Sequence, residues 1–211
     1  MTRYLALDTA TARASLAVGE PRGGALERVV AERRDLSRGI ERVTAELLQA
    51  AGARAQDLAG VLVADGPGSF TGLRIGAAFA KGVCRALGVP LLVAPSLLGS
   101  ARSALDGAGT VLVRYDALRG ELYQAVYAFA PDGAAHVVQP PMLVLVGEGA
   151  AAPGAVLATE RHASAASLLR LIGVPGGAEP VGEASGWEPA YGRPAEAEVR
   201  LRQRLARGGG D

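Results

Sequence analysis

The chain has 211 residues, 49% of them hydrophobic and 20% charged, so it can bury a substantial core and is not disordered throughout. Its 22 basic and 21 acidic residues give a net charge of +1, which excludes an overall positive field that would attract nucleic acid. A single cysteine and two histidines exclude an internal disulfide and a cysteine-rich zinc or iron–sulfur site.

Neither an export signal nor a membrane span is predicted. The chain does not open with a basic segment followed by an apolar one. No apolar run approaches the ~18 residues that a transmembrane helix needs. We therefore expect a soluble, cytoplasmic protein without membrane contact.

The first half predicts elements in the order βββαβα. Short apolar runs between turn residues indicate strands, whereas apolar residues three and four positions apart indicate helices. Three strands, a helix, a buried strand and a second helix follow one another: Tyr4–Leu7, Ala14–Val18, Leu26–Ala31, Ser37–Ala51, Gly60–Ala64 and Thr71–Leu87.

The same order begins again in the second half. Leu5–Asp8 followed by Ser15–Val18 aligns with Val113–Asp116 followed by Tyr123–Val126, and both second strands begin seven residues after the aspartate. An internal repeat predicts two related halves, which we place at residues 1–105 and 106–211. Further strands, a helix, an irregular connection and a terminal helix or charged tail are predicted at Val137–Val138, Leu143–Val146, Ala155–Thr159, Ser164–Leu171, Gly173–Tyr191 and Glu196–Arg207.

The most informative segment joins the buried strand to the second helix and reads Asp65-Gly66-Pro67-Gly68-Ser69-Phe70-Thr71-Gly72-Leu73-Arg74-Ile75-Gly76. It is neither a Walker A loop nor a dinucleotide-binding fingerprint, because the glycines and lysine those motifs need are not at the required positions. Free backbone N–H groups at this turn could face an anion. Spacing alone favours a structural role, a tight turn followed by a helix with a small face at Gly72, Gly76 and Ala80.

Two aspartates end apolar strands at matching positions of the repeat. Asp8 and Asp116 could hold a hydrated cation beside a phosphate. The alternative, favoured from sequence alone, is that each carboxylate only accepts turn N–H bonds. Cys84 lies among apolar helix residues and is expected in the core, and no Ser/His/Asp arrangement can be assigned.

Five parts of the chain carry a resemblance to a known family. They are Leu5–Thr11, Gly66–Gly76, Ala80–Gly82 with Pro90–Val93, Asp116–Tyr123 and Pro189–Arg193. Together they resemble the TsaB family, also called YeaZ, along nearly the whole chain. The eleven-residue signature is far more specific than a lone glycine pattern; its defining positions are Gly66, Pro67, Gly68, Ser69, Thr71, Gly72 and Arg74.

The resemblance implies an α/β fold of the actin/hexokinase-like (ASKHA) type, with two ribonuclease-H-like βββαβα halves of which the second is degenerate. It also implies a non-catalytic, dimerising subunit that activates TsaD, which makes N6-threonylcarbamoyladenosine (t6A) on tRNAs reading codons that begin with A. A TsaE-like ATPase is a further implied partner, tRNA is contacted indirectly, and the isolated chain forms a homodimer. No cofactor of its own is expected, because metal and nucleotide belong to TsaD or the shared interface.

The resemblance places the partner interface on the two helices of the first half. Candidate contacts are Ile40, Val43, Leu47, Gly72, Gly76, Phe79, Ala80 and Val83, with Ile75 continuing the stripe of Phe79 and Val83. The alternative is that these stripes face only the chain's own sheet. TsaD-like proteins bind metal through a His-x-x-x-His pair that the first helix lacks, and Leu36 stands where TsaB sequences often have histidine.

A second hypothesis is a small ASKHA phosphotransferase that uses Asp8 and Asp116 around MgATP. Against it, the turn after Asp8 carries Ala10 and Ala12 where phosphate-clasping loops of such kinases are rich in glycine. If the chain is not a phosphotransferase, Asp8 and Asp116 mark a vestigial nucleotide cleft. A metalloprotease is excluded by the shortage of ligands.

Overall fold

The computed structural model describes residues 2–30, 36–149 and 152–192, and these residues form two β-sheets with helices on both faces of the first. The first sheet has six strands: β1 (Arg3–Asp8), β2 (Ala14–Gly19), β3 (Ala25–Val30), β4 (Leu58–Ala64), β5 (Leu91–Ala94) and β10 (Glu179–Pro180). Their spatial order is β10-β5-β4-β1-β2-β3. The helices are α1 (Leu36–Ala50), α2 (Phe70–Leu87), α3 (Ser96–Ala104) and α4 (Ala165–Leu169).

The second sheet repeats the topology around β1. Its strands are β6 (Gly109–Asp116), β7 (Glu121–Phe129), β8 (Ala135–Leu145) and β9 (Val156–Thr159), in the order β8-β7-β6-β9. β1 pairs antiparallel with β2 and parallel with β4, and β6 pairs antiparallel with β7 and parallel with β9. Asp8 and Asp116 therefore end equivalent strands. Between β8 and β9 the described residues form no helix, so the second half lacks an equivalent of α1.

The predicted order of the first half is confirmed, and both long helices begin one residue earlier than expected. In the second half the two predicted strands Val137–Val138 and Leu143–Val146 are wrong as separate elements, because β8 is one continuous strand. Sequence patterns did not predict β5, α3 or the short β10 within the connection Gly173–Tyr191. The segment Glu196–Arg207 lies outside the described residues, and the boundary between residues 105 and 106 stays a prediction.

The apolar pattern of the first sheet explains its two covered faces. Leu5, Leu7, Leu16, Val61 and Val63 point to one side and pack against α1 and α2. Ala6, Ala17, Leu62 and Ala64 point to the other side, where α3 and α4 separate them from the second sheet. Strands buried on both faces need apolar residues at consecutive positions, which is what β1 and β4 have. The layers are therefore helices, sheet, helices and sheet.

The first helix is amphipathic, and its apolar side is turned inward. Leu36, Ile40, Val43 and Leu47 are at most 5% exposed and recur at helical spacing. Each fully buried side chain of this size contributes about 1.5–3 kcal/mol to stability. The polar side of α1 carries an exposed Arg42–Glu46 pair four residues apart, with a 2.5 Å nitrogen–oxygen distance. Among the described residues, no helix is long and apolar enough to cross a membrane.

A buried hydrogen-bonded chain connects the two sheets through α3. The Tyr115 hydroxyl, on β6, lies 2.5 Å from the Ser100 Oγ and donates to the Ser96 carbonyl oxygen over 3.1 Å. The Ser96 Oγ in turn accepts from the Gly66 N–H, 2.9 Å away, at the end of β4. Since Tyr115 is 2% exposed, these bonds are made without competition from water.

We expect Tyr115→Phe to lower the free energy of unfolding by about 1–2 kcal/mol, because it removes the hydroxyl that Ser100 and Ser96 pair with. Urea unfolding of the variant measures this loss. The matched comparison is Ser100→Ala alone and the double variant, whose loss should be smaller than the sum of the single losses. Additive losses would show that the two hydroxyls do not interact.

Candidate functional site at the turn between β4 and α2

The glycine-rich turn is held by backbone hydrogen bonds to two distant parts of the chain. The Ser96 N–H donates to the Gly66 carbonyl oxygen over 2.9 Å, and the Ala190 N–H donates to the Asp65 carbonyl oxygen over 2.7 Å. The Ser69 N–H donates to the Ala10 carbonyl oxygen over 2.6 Å. The turn therefore joins the first residues of α3, the C-terminal segment and the β1–β2 turn.

Four glycines of the signature allow these close approaches. A Cβ on Gly68 would overlap the Ala10 carbonyl oxygen, and a Cβ on Gly72 would overlap the Thr9 carbonyl oxygen. A Cβ on Gly76 would overlap the Thr9 Oγ1. Gly66 has a φ of 114°, a backbone conformation that favours glycine, and a Cβ there would overlap the Ala190 carbonyl oxygen. The glycines thus have a structural role, as their spacing favoured.

The other signature residues shape the start of α2 and the surface above it. The Ser69 Oγ caps the helix by accepting from the Gly72 N–H over 3.2 Å. Thr71 and Arg74 are exposed. The Arg74 guanidinium lies 5.5 Å from the centre of the Phe70 ring, which is itself 4.6 Å from the Tyr191 ring. Phe70 thereby packs the C-terminal segment onto the helix.

A pocket of about 320 Å³ opens beside this turn, between the two halves. Asp65 is the acidic residue of its lining, and burial raises the pKa of this carboxyl group to about 6. The remaining lining is mainly apolar and includes prolines from three segments: Gly66, Pro67, Pro95, Tyr123, Pro141, Met142, Leu143, Ala190 and Gly192. The pocket offers one carboxylate and apolar walls, which do not make a nucleophilic or metal-binding centre.

Asp8 is buried completely and cannot be reached by a ligand from solvent. Its Oδ1 accepts from the Ala10 N–H over 3.2 Å, whereas its Oδ2 has no partner among the described residues. Burial is the main reason that the pKa of this carboxyl group is raised to about 7, and the nearby Glu27 carboxylate adds to the effect. Asp8 is therefore held in a place that favours the protonated form.

Asp116, at the equivalent strand end, has the opposite environment. It is exposed, its Oδ1 accepts from the Leu118 N–H over 2.7 Å, and its own N–H donates to the Glu160 carboxylate. This is the turn role that the sequence favoured for a strand-ending aspartate. Within residues 2–30, 36–149 and 152–192, no three His, Cys, Asp or Glu side chains lie close enough to hold a metal ion.

Six of the predicted interface residues face the chain's own sheet, which favours the alternative that these stripes pack on the sheet, and their assignment to a partner surface stays a prediction. Ile40, Val43 and Leu47 are at most 5% exposed and belong to the core around β1 and β4. Gly72 and Gly76 lie against Thr9, and Ala80 is fully buried in the same core. Each helix must bury one face on the sheet, and the small face of α2 is that face because the β1–β2 turn approaches its backbone directly.

The outward face of α2 is different and remains apolar. Ile75, Phe79 and Val83 are half-buried, as expected for residues between the core and a free surface. Beside them lie exposed small residues that the sequence reasoning missed, namely Ala78, Gly82 and Ala86. Gly82 is in mid-helix, and a Cβ there would meet nothing within 4 Å. Its position three and four residues from Phe79 and Ala78 was the signal that could have identified it.

Comparison with known proteins gives consistent matches. The family model described as "TsaD: tRNA N6-adenosine threonylcarbamoyltransferase" matches residues 17–157. TsaB of Escherichia coli is 32% identical over 64% of this chain and 58% of its own length, and TsaB of Bacillus subtilis is 38% identical over 35% and 32%. The matches thus span about half or less of these relatives. YeaZ from Pseudomonas aeruginosa superposes with a TM-score of 0.77 at 26% identity, covering 90% of this chain and all of that one. The expected ASKHA-type α/β fold is confirmed by these matches.

We expect Gly72→Ala to lower the free energy of unfolding by about 1–3 kcal/mol, because the added methyl group overlaps a backbone oxygen of Thr9. Gly82→Ala in the same helix should instead raise it by about 0.5–1 kcal/mol, since alanine is the better helix former and has room there. Thermal or urea unfolding of both variants measures whether the free energy of unfolding falls for Gly72→Ala and rises for Gly82→Ala. Equal effects would contradict the assignment of the two faces of α2.

The buried Asp8 predicts a pH-dependent stability. Because the pKa of its carboxyl group is about 7 when folded and 3.8 as the ordinary value, the folded state binds the proton more tightly. Stability from this group is therefore present at low pH and lost as pH rises toward neutrality. Between about pH 5 and pH 7.5 the free energy of unfolding should therefore fall with rising pH. Asp8→Asn should make this fall smaller by roughly 2–3 kcal/mol, as measured by urea unfolding across that pH range. Asp116→Asn, at the exposed counterpart, is the matched control for loss of one carboxyl group.

Proposed function

Since the chain belongs to the TsaD family and is similar to TsaB, also called YeaZ, we propose that it takes part in the biosynthesis of t6A in tRNA. Its role in this proposal is that of a non-catalytic subunit. It binds a TsaD-like protein and activates the transfer of threonylcarbamoyl to the adenosine next to the anticodon. In the absence of that partner, the same surface pairs two copies of the chain.

The observation that carries this proposal is the outward face of α2. A glycine inside a helix costs about 1 kcal/mol relative to alanine. For Gly72 and Gly76 the chain's own packing explains that cost, whereas for Gly82 no packing among the described residues does. A second helix laid across Ala78 and Gly82 could approach closely, because the interhelical distance depends on the side chains at the contact. Phe79 and Val83 would then be covered on their exposed sides.

The buried signature supports the non-catalytic role. Asp8 is out of reach of solvent, and the turn that follows it is packed against Gly68 and Gly72. A phosphate clasp at this turn would need the space that the start of α2 occupies. The phosphotransferase hypothesis, which requires Asp8 and Asp116 to face a common MgATP, is not favoured by an arrangement in which one of the two is fully buried and the other exposed.

In this proposal the chain activates its partner by holding a partner helix in a fixed position. The α2 surface belongs to a helix that is capped at both ends, by Ser69 and by Gly88 with its φ of 68°, and that packs against the β1–β2 turn and β4 along its inner face. Such a rigid helix can hold a partner helix in one position without supplying any reacting group. Metal, nucleotide and tRNA are then bound by the TsaD-like partner, with a TsaE-like ATPase joining the assembly.

We expect Gly82→Leu to weaken both self-association and binding of a TsaD-like protein by about tenfold or more, since a bulky side chain at a close helical contact costs about 1–3 kcal/mol. Sedimentation velocity measures the oligomeric state, and reconstitution with the TsaD-like protein, a TsaE-like ATPase, threonylcarbamoyl donor and tRNA measures t6A formation. The variant should remain folded, because the side chain enters open space.

The matched control is Gly107→Leu, which also places leucine at an exposed glycine with no neighbour within 4 Å, in the loop after α3. The Gly107→Leu variant should self-associate, bind the TsaD-like protein and support t6A formation as the unmodified chain does. A Gly82→Leu protein that is monomeric but fully active would separate the self-pairing surface from the partner surface. One that is dimeric and active would place the interface elsewhere and contradict the proposal.

A further inference from the structure

A second pocket, of about 270 Å³, lies at the edge of the sheets opposite Asp8 and Asp116. The turn Glu20–Gly24 forms one side, because β2 ends beside the first residues of β1. The turn after Phe129 forms another, since Phe129 pairs with Gly109 at the start of β6. The lining residues come from both halves and include three arginines: Pro21, Arg22, Gly23, Arg102, Gly133, Arg170 and Val174.

Arg102 is the unusual member of this lining, because it is a charged side chain only 6% exposed. Its guanidinium carbon lies 4.4 Å from the centre of the Phe129 ring, and one terminal nitrogen donates to the Leu105 carbonyl oxygen. Its Nε has no partner among the described residues. A buried guanidinium is normally paired with an anion, since an unpaired buried charge is costly. Here its described neighbours are a ring and a carbonyl group.

The charges around Arg102 do not balance. Burial lowers the pKa of Arg102, and the positive charge of the nearby Arg170 lowers it further. The carboxylate near both arginines is Asp106, whose side chain is 89% exposed and lies 2.7 Å from the Arg170 guanidinium. Arg22 adds a third cation to the rim. Three arginines therefore line a pocket near which two carboxylates lie, that of Asp106 and, beside Gly23, that of Glu20.

We propose that this pocket binds a small, multiply charged oxyanion, a phosphate or pyrophosphate group held by the guanidinium groups of Arg22, Arg102 and Arg170. Guanidinium groups match phosphate oxygens with two parallel hydrogen bonds, and such charge-assisted bonds are roughly twice as strong as neutral ones. The Phe129 ring and the Leu105 carbonyl group fix the orientation of the Arg102 guanidinium, so this member of the lining is held in one position. The anion would connect α3 and α4 with turns of both sheets.

The proposal is independent of the role of α2, since the pocket shares no lining residue with the signature turn. Most basic residues of this chain are arginines, so an arginine on the surface is by itself no evidence of a binding site. What distinguishes this site is a nearly buried arginine in the lining of a cavity that two further arginines also line.

Isothermal titration calorimetry of the full chain with sodium pyrophosphate, at constant ionic strength, tests the proposal. Separate titrations with inorganic phosphate and with ADP show whether the group is taken free or as part of a nucleotide. We expect saturable binding of pyrophosphate. Arg22→Gln and Arg170→Gln should each weaken it by about tenfold, the loss expected for one charge-assisted hydrogen bond. Arg22 and Arg170 are both exposed, so both variants should fold.

Asp106→Asn gives the sharpest comparison, because removing the competing carboxylate should tighten binding by about two- to fivefold. Arg38→Gln, at an exposed position on α1, is the control for loss of one positive charge and should bind as the unmodified chain does. Absence of pyrophosphate binding at millimolar concentration would overturn the proposal. So would binding that Arg22→Gln and Arg170→Gln leave unchanged, since the anion would then sit elsewhere.

Discussion

The contact between the start of α2 and the β1–β2 turn determines much of this structure. Two consecutive backbone oxygens, those of Thr9 and Ala10, lie against Gly72 and Gly68, and the Ser69 N–H donates to the second of them. A side chain at either glycine would separate the helix from the sheet. The β4–α2 turn also receives the Ala190 N–H at the Asp65 carbonyl oxygen, so the helix, this turn and the C-terminal segment are positioned together.

This contact also explains why the two matching aspartates have different environments. It covers the turn after Asp8, so that this carboxyl group is completely buried, has an unpaired oxygen and is raised in pKa to about 7. Among the described residues, the equivalent Asp116 is exposed and forms a turn by accepting from the Leu118 N–H. The two halves thus keep the same strand order while the packing around their matching aspartates differs. Chemistry that needs both carboxylates at one ligand has no support from this geometry.

With its inner face committed to the sheet, α2 has one face left for a partner. That face combines half-buried Ile75, Phe79 and Val83 with exposed Ala78, Gly82 and Ala86, and no charged residue interrupts those six positions. The arginine-lined pocket uses separate elements, the ends of α3 and α4 and two hairpin turns. Partner binding and anion binding would therefore occupy different surfaces of the chain, and each can be altered without changing the other.

The sequence by itself determined the element order of the first half, the repeat centred on Asp8 and Asp116, and the identity of the signature turn. These follow from local periodicity and residue spacing, which a single chain displays directly. The structure alone decided which face of α2 packs on the sheet. Gly76 and Gly82 look equivalent in sequence, yet Gly76 lies against Thr9, whereas a Cβ on Gly82 would meet no described residue within 4 Å. It also decided that Val137–Val138 and Leu143–Val146 form one strand, and that Arg22, Arg102 and Arg170 meet in one pocket. Residues this far apart in sequence come together only through the packing of the two sheets, and no local pattern records that packing.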